Sequence, residues 1–421
     1  MNNFILTTGI IILLVVTGRI LMLIQQGVLQ LRFQAEANRL NLSLLETQIA
    51  SARRKFDLTS TGWNGYRKFE IIKAVPEAKG IASFYLKPHD GKTLPPFQPG
   101  QYLTFQVDIP GREKPVVRCY SLSDCEHESY YRVSIKRVPP PVGSPLTPPG
   151  LVSNFFHEQL AAGDIVDVQS PNGNFVFDPF DSRPAVLIAG GIGITPILTM
   201  AKSVVASESG RELLIFIGVR NSDDHAFEAE LKEIEKLPNC RLITCFADPL
   251  DDDIKHEGIR YQHQGRIAVN LLKNYLESTN YDFFICGPPP MMSGLTEQLS
   301  RWGVSSESIH SEAFGPASIK NLKPSSGEVA AGANAKGVAS VEFSKSGIQS
   351  EWDGSAENLL DFAIDNGVSI DSGCRAGNCG TCLVALKSGK INYNVEPGVE
   401  PEAGTCLACV AVPDGDVVID A

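Results

Sequence analysis

The spacing of the cysteines near the C-terminal end of this 421-residue sequence most strongly limits what the chain can fold into. Cys374, Cys379 and Cys382 are separated by four and then two residues, and Cys406 and Cys409 follow later. Three closely spaced thiolates plus one distant cysteine are the ligands of a plant-type [2Fe–2S] cluster. A structural zinc ion is the alternative, but zinc motifs usually pair two short spacings. The pattern therefore predicts an iron–sulfur cluster, with Cys406 or Cys409 as its fourth ligand.

The sequence around these cysteines resembles the plant-type ferredoxin domain over residues 338–421. Residues 338–343 alternate like a β-strand, and residues 356–366 have the pattern of an amphipathic helix. In that family a short apolar run and a proline follow the fourth ligand, as in Cys409-Val-Ala-Val-Pro413. The resemblance implies an α+β fold of the β-grasp type, cluster ligation by Cys409, and a buried free thiol at Cys406.

Composition and charge exclude several classes of protein. A hydrophobic content of 43% and a charged content of 20% indicate globular domains rather than disorder. The net charge of −11 argues against a nucleic-acid partner. From residue 338 onward we count 13 Asp and Glu against 4 Lys and Arg, an acidic surface that could steer a basic redox partner or only solubilise the domain. The remaining cysteines show no paired framework, which favours a reducing compartment.

The N-terminal segment predicts a membrane anchor within residues 1–26. Residues 4–24 are almost wholly apolar, with Arg19 as the only charge, and 21 residues of helix would span about 31 Å. A cleaved signal peptide is the alternative, but no basic residue precedes the apolar run. Basic residues follow it instead, and these are Arg32, Arg39, Arg53, Arg54 and Lys55. We therefore expect a single-pass protein of the inner (cytoplasmic) membrane with its other domains in the cytoplasm.

Residues 27–58 form a predicted helical stalk. Apolar residues and one Asn recur there at alternating three- and four-residue steps, namely Val28, Leu31, Ala35, Asn38, Leu42, Leu45, Ile49 and Ala52. Such a seam is typical of a parallel coiled coil that makes a homodimer. It equally fits a helix that lies against the membrane or against the rest of the chain.

Residues 62–180 have the pattern of a small antiparallel β-barrel. Short strands are predicted at 69–75, 81–87, 102–107, 131–136 and 165–169, separated by Gly and Pro turns. Three motifs follow in order within this region: Pro99-Gly-Gln-Tyr102, Arg118-Cys-Tyr-Ser121 and Gly150-Leu-Val-Ser153-Asn154. Together they resemble the ferredoxin-NADP reductase superfamily, in particular the reductase part of flavohaemoglobins and of oxygenase systems, over residues 63–316.

This resemblance implies an FAD site. At matching positions Arg118 pairs with a flavin phosphate, Tyr120 packs on the isoalloxazine ring, and Ser121 binds near its N5 atom. These roles suit the chemistry of the side chains, since a guanidinium binds phosphate, an aromatic face stacks on a ring system, and a hydroxyl can hydrogen-bond to a ring nitrogen. Lys136 adds positive charge near the flavin. The segment Gly150, Val152, Ser153 and Asn154 leads into a helix predicted at 154–160, whose first amides receive the pyrophosphate.

Residues 181–316 have the pattern of a doubly wound α/β domain for a pyridine nucleotide. The apolar run 185–189 predicts a buried parallel strand, and further strands at 213–219, 240–246 and 282–286 alternate with helices at 227–237 and 269–276. A glycine-rich turn follows the first strand, with Gly191, Gly193, Thr195 as N-cap and Pro196 at the first helical position. The spacing predicts a phosphate site at this turn.

The nicotinamide end of the nucleotide is assigned by the resemblance. Cys286-Gly287 and Met291 match the superfamily's Cys-Gly element, and Glu312 and Phe314 match its terminal element, which returns towards the flavin. Tyr120, Ser121, Cys286 and Glu312 are therefore the predicted catalytic residues. Arg220 could bind the 2′-phosphate of NADPH, whereas Asp223 and Asp224 favour the free 2′-hydroxyl of NADH. The sequence therefore favours NADH but leaves NADPH open.

The three domains in this order predict an electron-transfer reductase. NAD(P)H would give two electrons to FAD, which releases them singly to the cluster, and residues 317–337 form a predicted flexible linker that lets the ferredoxin domain reach an outside acceptor. The expected acceptor is an oxygenase, a hydroxylase or a haem protein at the membrane. A quinone-linked NADH dehydrogenase subunit and a slow redox-sensing or assembly module are the alternatives.

Overall fold

The computed structural model describes residues 17–19, 21–30, 32–39, 42, 62–112, 115–140, 149–312, 339–373, 375, 377, 380–394, 397 and 401–421. The chain divides into two compact units, Met1–Thr61 and Gly62–Ala421. In the first unit the described residues are helical. Most of the predicted anchor, residues 4–16 and 20, lies outside the described residues, as do Leu31, Leu45, Ile49 and Ala52 of the predicted seam. No helix among the described residues is long and apolar enough to cross a membrane.

Six antiparallel strands of the second unit form the predicted barrel. They are β1 (Arg67–Ala78), β2 (Ile81–Pro88), β3 (Tyr102–Val107), β4 (Val116–Ser121), β5 (Tyr131–Lys136) and β6 (Ile165–Val168), in the order β4-β3-β6-β1-β2-β5. The two edge strands close on each other just beyond β4, where Leu122 bridges Val133 and the Ser123 amide donates to the Arg132 carbonyl at 2.9 Å. Closure removes the exposed edges of the sheet.

Helix α1 (Leu151–Gln159) covers the end of this barrel. Phe156 is fully buried and packs edge-on against Phe84, with ring centroids 5.2 Å apart. The helix begins three residues before the predicted start at Asn154, because the polar side chains there do not cap it. Ser153 Oγ and Asn154 Nδ2 both donate back to the Gly150 carbonyl, at 3.2 and 2.7 Å.

The nucleotide domain is a six-stranded parallel sheet with helices on both faces. Its strands are β7 (Ala185–Gly190), β8 (Leu213–Val219), β9 (Cys240–Phe246), β10 (His263–Gln264), β11 (Asp282–Cys286) and β12 (Ile309–Glu312), in the order β10-β9-β8-β7-β11-β12. Its helices are α2 (Ile194–Ser207), α3 (Glu228–Glu235), α4 (Asp251–Ile254), α5 (Val269–Leu272) and α6 (Pro289–Trp302). Every residue of β7 is buried, as expected for a central strand covered on both faces.

Two helices of this domain are shorter than predicted. Helix α3 cannot begin at Phe227, because that residue has a left-handed backbone with φ of 62°. Helix α5 is a single turn rather than a helix over 269–276, because the amides of Asn274 and Tyr275 bond three residues back, to Leu271 and Leu272.

The C-terminal domain has the predicted α+β character. Its strands are β13 (Ala339–Phe343), β14 (Ile348–Trp352), β15 (Leu383–Ser388), β16 (Ile391–Tyr393), β17 (Thr405–Leu407), β18 (Ala411–Pro413) and β19 (Val417–Ile419). Five of them form a sheet in the order β14-β13-β19-β15-β17, and β16 pairs with β18. Helix α7 (Leu359–Asp365) starts later than the predicted 356, because the Asn358 side chain caps it by accepting from the Asp361 amide at 2.9 Å.

A buried group of charges joins the barrel to the nucleotide domain. Arg132 on β5 is 3% exposed, and its guanidinium pairs with Glu230 of α3 at 2.7 Å and lies 3.7 Å from Asp124. Lys202 of α2 contacts the same two carboxylates. The Thr199 hydroxyl, also on α2, donates to the Leu122 carbonyl at 2.7 Å. These bonds fix the position of the glycine-rich turn relative to β4.

Candidate active site at the junction of three domains

Strand β4 presents the residues predicted to hold the flavin. Antiparallel pairing with β3 places Tyr120 opposite Leu103 and Arg118 opposite Phe105. The Tyr120 ring packs edge-on against Phe105 and Phe156, at 5.7 Å in each case. Burial raises the pKa of the Tyr120 hydroxyl, so this side chain is a neutral aromatic surface at physiological pH.

Ser121, Glu312 and Cys286 come together although they are far apart in the sequence. Ser121 Oγ donates to Glu312 Oε2 at 3.4 Å, and parallel pairing of β11 with β12 places Glu312 beside Cys286. Glu312 is 8% exposed, and burial raises the pKa of its carboxyl to about 8. Burial, and then the nearby Glu312, raise the pKa of the Cys286 thiol well above its usual value. At neutral pH the group is therefore an uncharged, dry set of hydrogen-bonding side chains.

The start of α1 is closely packed at its N-cap residue, Gly150. A Cβ on Gly150 would lie 2.7 Å from both Ser153 Oγ and Val138 Cβ, so the N-cap position requires glycine. Val152 is buried in the barrel core, and Asn154 accepts from Arg137 Nε at 2.7 Å. The first amides of the helix have no partners within the helix and can bind an anion.

Lys136, whose predicted place near the flavin stays a prediction, makes an ion pair across the domain junction. Its Nζ pairs with Asp224 of the nucleotide domain at 3.6 Å. Asp223 is similarly engaged with the barrel, since its carbonyl accepts from the Lys79 amide at 2.9 Å and its carboxylate lies 3.3 Å from Lys79 Nζ. The two acids predicted to bind a ribose hydroxyl are thus paired across the domain junction. Arg220, which is exposed, precedes them at the end of β8.

The glycine-rich turn packs against the predicted nicotinamide segment. A Cβ on Gly193 would lie 2.2 Å from the Cys286 carbonyl oxygen, and one on Gly287 would lie 2.5 Å from Met291 Cε. Gly191 has φ of 53°, and a Cβ there would meet nothing within 4 Å. Open space beside a left-handed glycine leaves the backbone accessible to a phosphate.

Two details of this turn differ from the sequence prediction. Thr195 is not the N-cap, because its Oγ1 donates to the Ile192 carbonyl at 3.1 Å and Gly193 takes the cap position. Pro196 is therefore the third helical residue rather than the first. The cause is the 3₁₀ turn Gly191–Gly193, which runs directly into α2 and starts the helix earlier.

The cluster site is described in part. Cys382 and Cys409 are 2% and 4% exposed, and the Ala408 amide donates to the Cys382 carbonyl at 3.1 Å, which holds the two segments together. Cys406 is fully buried on β17, so the structure brings both candidates for the fourth ligand near Cys382. Cys374 and Cys379 lie outside the described residues, as does Phe314.

Arg118 also contacts the cluster loop, and no sequence pattern predicts this contact. Its Nη1 donates to the Val117 carbonyl at 2.7 Å and to the Gly373 carbonyl at 3.3 Å. Gly373 is buried and directly precedes Cys374. Arg118 and Gly373 are 255 residues apart. Neither position carries a sequence pattern that would pair them.

Comparison with known proteins agrees with this organisation. Family models match residues 68–177 as an oxidoreductase FAD-binding domain, 187–297 as an oxidoreductase NAD-binding domain and 344–414 as a 2Fe-2S iron-sulfur cluster binding domain. The chain is a reductase of the ferredoxin-NADP reductase type fused to a 2Fe–2S ferredoxin domain. This confirms the resemblance on which the sequence prediction depended.

Relatives of this reductase match it to different extents. It is 37% identical over 255 residues to a flavohemoprotein of Bacillus subtilis, and the match covers 61% of each chain. The FAD/NAD-binding domain of a nitric oxide dioxygenase from Vibrio cholerae O1 biovar El Tor is 29% identical, with a TM-score of 0.53, covering 60% of this chain and all of that one. Phthalate dioxygenase reductase is 25% identical with a TM-score of 0.51, covering 85% of this chain and 98% of that one.

The residues of the reductase fit the three cofactors that these domains bind, FAD, NAD(P)H and a [2Fe–2S] cluster. For FAD there is an arginine, an aromatic face and a helix start whose first amides can bind an anion. For NAD(P)H there is an accessible glycine turn at the carboxyl end of a central parallel strand. For the cluster, two buried thiols lie on segments joined by a hydrogen bond.

Proposed function

We propose that this protein takes hydride from NAD(P)H and passes single electrons through its cluster to a separate acceptor protein. The observation that carries the proposal is the position of β4 between the other two domains. Ser121, at one end of the strand, contacts Glu312 beside Cys286, and Arg118 contacts the cluster loop at Gly373. Three residues of strand separate these contacts, which is about 10 Å. The donor side and the cluster side therefore meet on the same short strand.

The cofactors supply the redox chemistry, in which FAD accepts a hydride and releases electrons one at a time to the cluster. The contribution of the chain is positional. Cys286, Ser121 and Glu312 form a buried surface where nicotinamide and flavin would meet, and their neutral state at pH 7 excludes a charge that would oppose hydride transfer. The buried ion pairs of Arg132 hold the two domains in register.

We further infer that the acceptor is an oxygenase, a hydroxylase or a haem protein. Support comes from phthalate dioxygenase reductase, a modular protein for electron transfer from pyridine nucleotides to [2Fe–2S], because this chain matches 98% of its length. The chain spans 61% of the length of the flavohemoprotein relative, so the activity of that whole protein is not carried over.

Membrane attachment belongs to the same proposal. The apolar segment at 4–24 supports it, and the described part of that segment includes the exposed side chains of Leu21, Met22, Leu23 and Ile24. Attachment to the inner membrane, with the stalk pairing two copies, would hold the reductase near a membrane-bound acceptor and raise its effective concentration.

The main test is anaerobic reduction of the purified full-length protein. NADH or NADPH should reduce first the FAD and then the cluster, and steady turnover should reduce a one-electron acceptor such as ferricyanide or a cytochrome. Turnover no faster than that of free FAD would contradict the proposal and leave a sensing role. Cross-linking and affinity isolation of the tagged protein from its native membranes should recover an oxygenase or haem protein.

Attachment is tested by fractionation of cells. The wild-type protein should sediment with membranes and resist extraction by high salt. Leu13→Arg together with Val16→Arg should release it, because two charges at the middle of the segment are costly in a bilayer. A salt-extractable wild-type protein would exclude the anchor.

A further inference from the structure

Arg118 is the residue at which the predicted flavin site and the cluster loop meet. Among the described residues its hydrogen bonds both use Nη1, one to the Val117 carbonyl and one to the Gly373 carbonyl. The first ties the side chain to its own strand. The second joins the barrel to the ferredoxin domain one residue before Cys374.

The shape of the guanidinium group makes a double role feasible. It is planar and carries five N–H donors in fixed directions. Nη1 is committed to two carbonyl oxygens, and no bond to the described residues uses Nε or Nη2, so these donors can bind a phosphate. A lysine could neutralise the phosphate as a point charge, but it has no fixed second set of donors for the carbonyls.

The nucleotide domain and the ferredoxin domain contact the barrel through different types of interaction. Arg132, Asp124, Lys202 and Glu230 hold the nucleotide domain through buried ion pairs. The bond from Arg118 to Gly373 is longer, partly buried and made to an uncharged acceptor. Its strength therefore depends on how firmly the Arg118 side chain is itself held.

We propose that Arg118 is a positioning residue that couples FAD binding to docking of the ferredoxin domain. A phosphate on one side of the guanidinium fixes the rotamer that holds the Gly373 carbonyl on the other side. By linkage, docking of the ferredoxin domain strengthens FAD binding by the same factor. This inference rests on the proposed function, because it takes Arg118 as a phosphate ligand.

The test compares full-length wild type, Arg118→Lys and the matched control Arg241→Lys, each with and without FAD and with the cluster intact. Arg241 is exposed on β9 and packs over Tyr275. Amide hydrogen exchange is measured over residues 368–382. In wild type and R241K, FAD should slow exchange there at least threefold. In R118K, exchange should stay fast whether or not FAD is added.

Anaerobic rapid mixing with NAD(P)H at saturating FAD gives a second readout. Within R118K, the rate of cluster reduction relative to the rate of flavin reduction should be at least tenfold lower than the same ratio in wild type. A ratio equal to that of wild type in FAD-saturated R118K would overturn the inference. The inference would also be overturned if FAD did not change the exchange rate over residues 368–382 in wild type. This measurement does not depend on whether R118K retains FAD.

The outcomes separate this inference from the proposed function. A wild-type protein that binds no FAD, or whose cluster is never reduced, contradicts the function itself. A wild-type protein that turns over normally, with no response of the cluster loop to FAD, contradicts the coupling alone.

Discussion

Ser121 Oγ lies 3.4 Å from Glu312 Oε2, although one residue ends a barrel strand and the other ends the last strand of a parallel sheet. The carboxyl is buried, and burial raises its pKa to about 8. It is therefore mostly protonated at pH 7 and loses its proton as the pH rises past 8.

Glu312→Gln should remove a pH dependence from hydride transfer. In wild type the rate of flavin reduction should fall about tenfold between pH 7 and pH 9, because one unit above its pKa a group is about one tenth protonated, and an ionised carboxylate opposes incoming negative charge. E312Q mimics the protonated acid, so its rate should match wild type within threefold at pH 7 and stay flat to pH 9. Rapid-mixing absorbance measures both.

The raised pKa of Glu312 also predicts how the stability of the protein responds to pH. Between the unfolded pKa of about 4.5 and the folded pKa of about 8, the unfolded chain has released the Glu312 proton and the folded chain has not. The unfolded state thus binds fewer protons, and this group lowers stability as pH rises through that window. The midpoint of thermal unfolding should fall less from pH 6 to pH 8 in E312Q than in wild type or in the exposed control Glu297→Gln. Equal slopes would show that the carboxyl titrates normally.

The fourth cluster ligand is decided by a pair of substitutions. We predict that Cys409→Ser abolishes the paramagnetic signal of the reduced cluster, because a ligand thiolate is lost. Cys406→Ser should keep the signal, since Cys406 is predicted to be a buried free thiol that does not bind the cluster. Iron content and low-temperature electron paramagnetic resonance after dithionite reduction give the answer. The reverse pattern would assign Cys406 as the ligand.

The sequence was most informative where chemistry and local geometry coincide. The strands over 102–107, 131–136, 213–219, 240–246 and 282–286 have the predicted bounds, because each is an apolar or alternating segment between turn residues. Ser121, Cys286 and Glu312 were named from the resemblance, and the structure brings them together. Their individual roles remain predictions.

Details set by tertiary contacts were not predictable. The sequence shows that Lys136 is basic, but its pairing with Asp224 depends on how the barrel and the nucleotide domain dock. The start of α1 is a local exception, because Ser153 and Asn154 bond back to the Gly150 carbonyl rather than capping the helix. The network around Arg132 joins residues up to 98 positions apart, and no local pattern marks them.

Gly193→Ala should damage both stability and nucleotide binding. A Cβ there would lie 2.2 Å from the Cys286 backbone oxygen, which cannot move without displacing β11. We expect a loss of about 2 kcal/mol or more in unfolding free energy, typical of overpacking, and at least a tenfold rise in the KM for NAD(P)H. Denaturant titration and steady-state kinetics measure these quantities.

Gly210→Ala is the control for this substitution. Gly210 has φ of 70° and a Cβ there would meet nothing within 4 Å, so the change adds backbone strain without a clash. It should cost about 1 kcal/mol and leave KM unchanged. A similar rise in KM for both variants would exclude the close approach as the cause.

Arg132→Met should loosen the junction between the barrel and the nucleotide domain. It leaves Asp124 and Glu230, which are 10% and 29% exposed as side chains, with Lys202 as their one ion-pair partner among the described residues. Removing one member of a buried ion group typically costs about 3–5 kcal/mol, because the remaining charges stay desolvated. The denaturant midpoint of the nucleotide domain should fall accordingly, and hydride transfer should slow because the glycine turn is no longer fixed against β4.

A triple variant shows whether the loss of stability in R132M comes from the unpaired charges or from the lost packing contacts. Arg132→Met combined with Glu230→Gln and Asp124→Asn removes the buried negative charge as well, and it should recover part of the lost stability. The exposed pair Glu228–Lys232 gives the comparison, since Lys232→Ala should change stability by less than about 0.5 kcal/mol. If the triple variant is no more stable than R132M, the unpaired charges are not the cause, and the packing of the Arg132 side chain against Phe227 accounts for the loss.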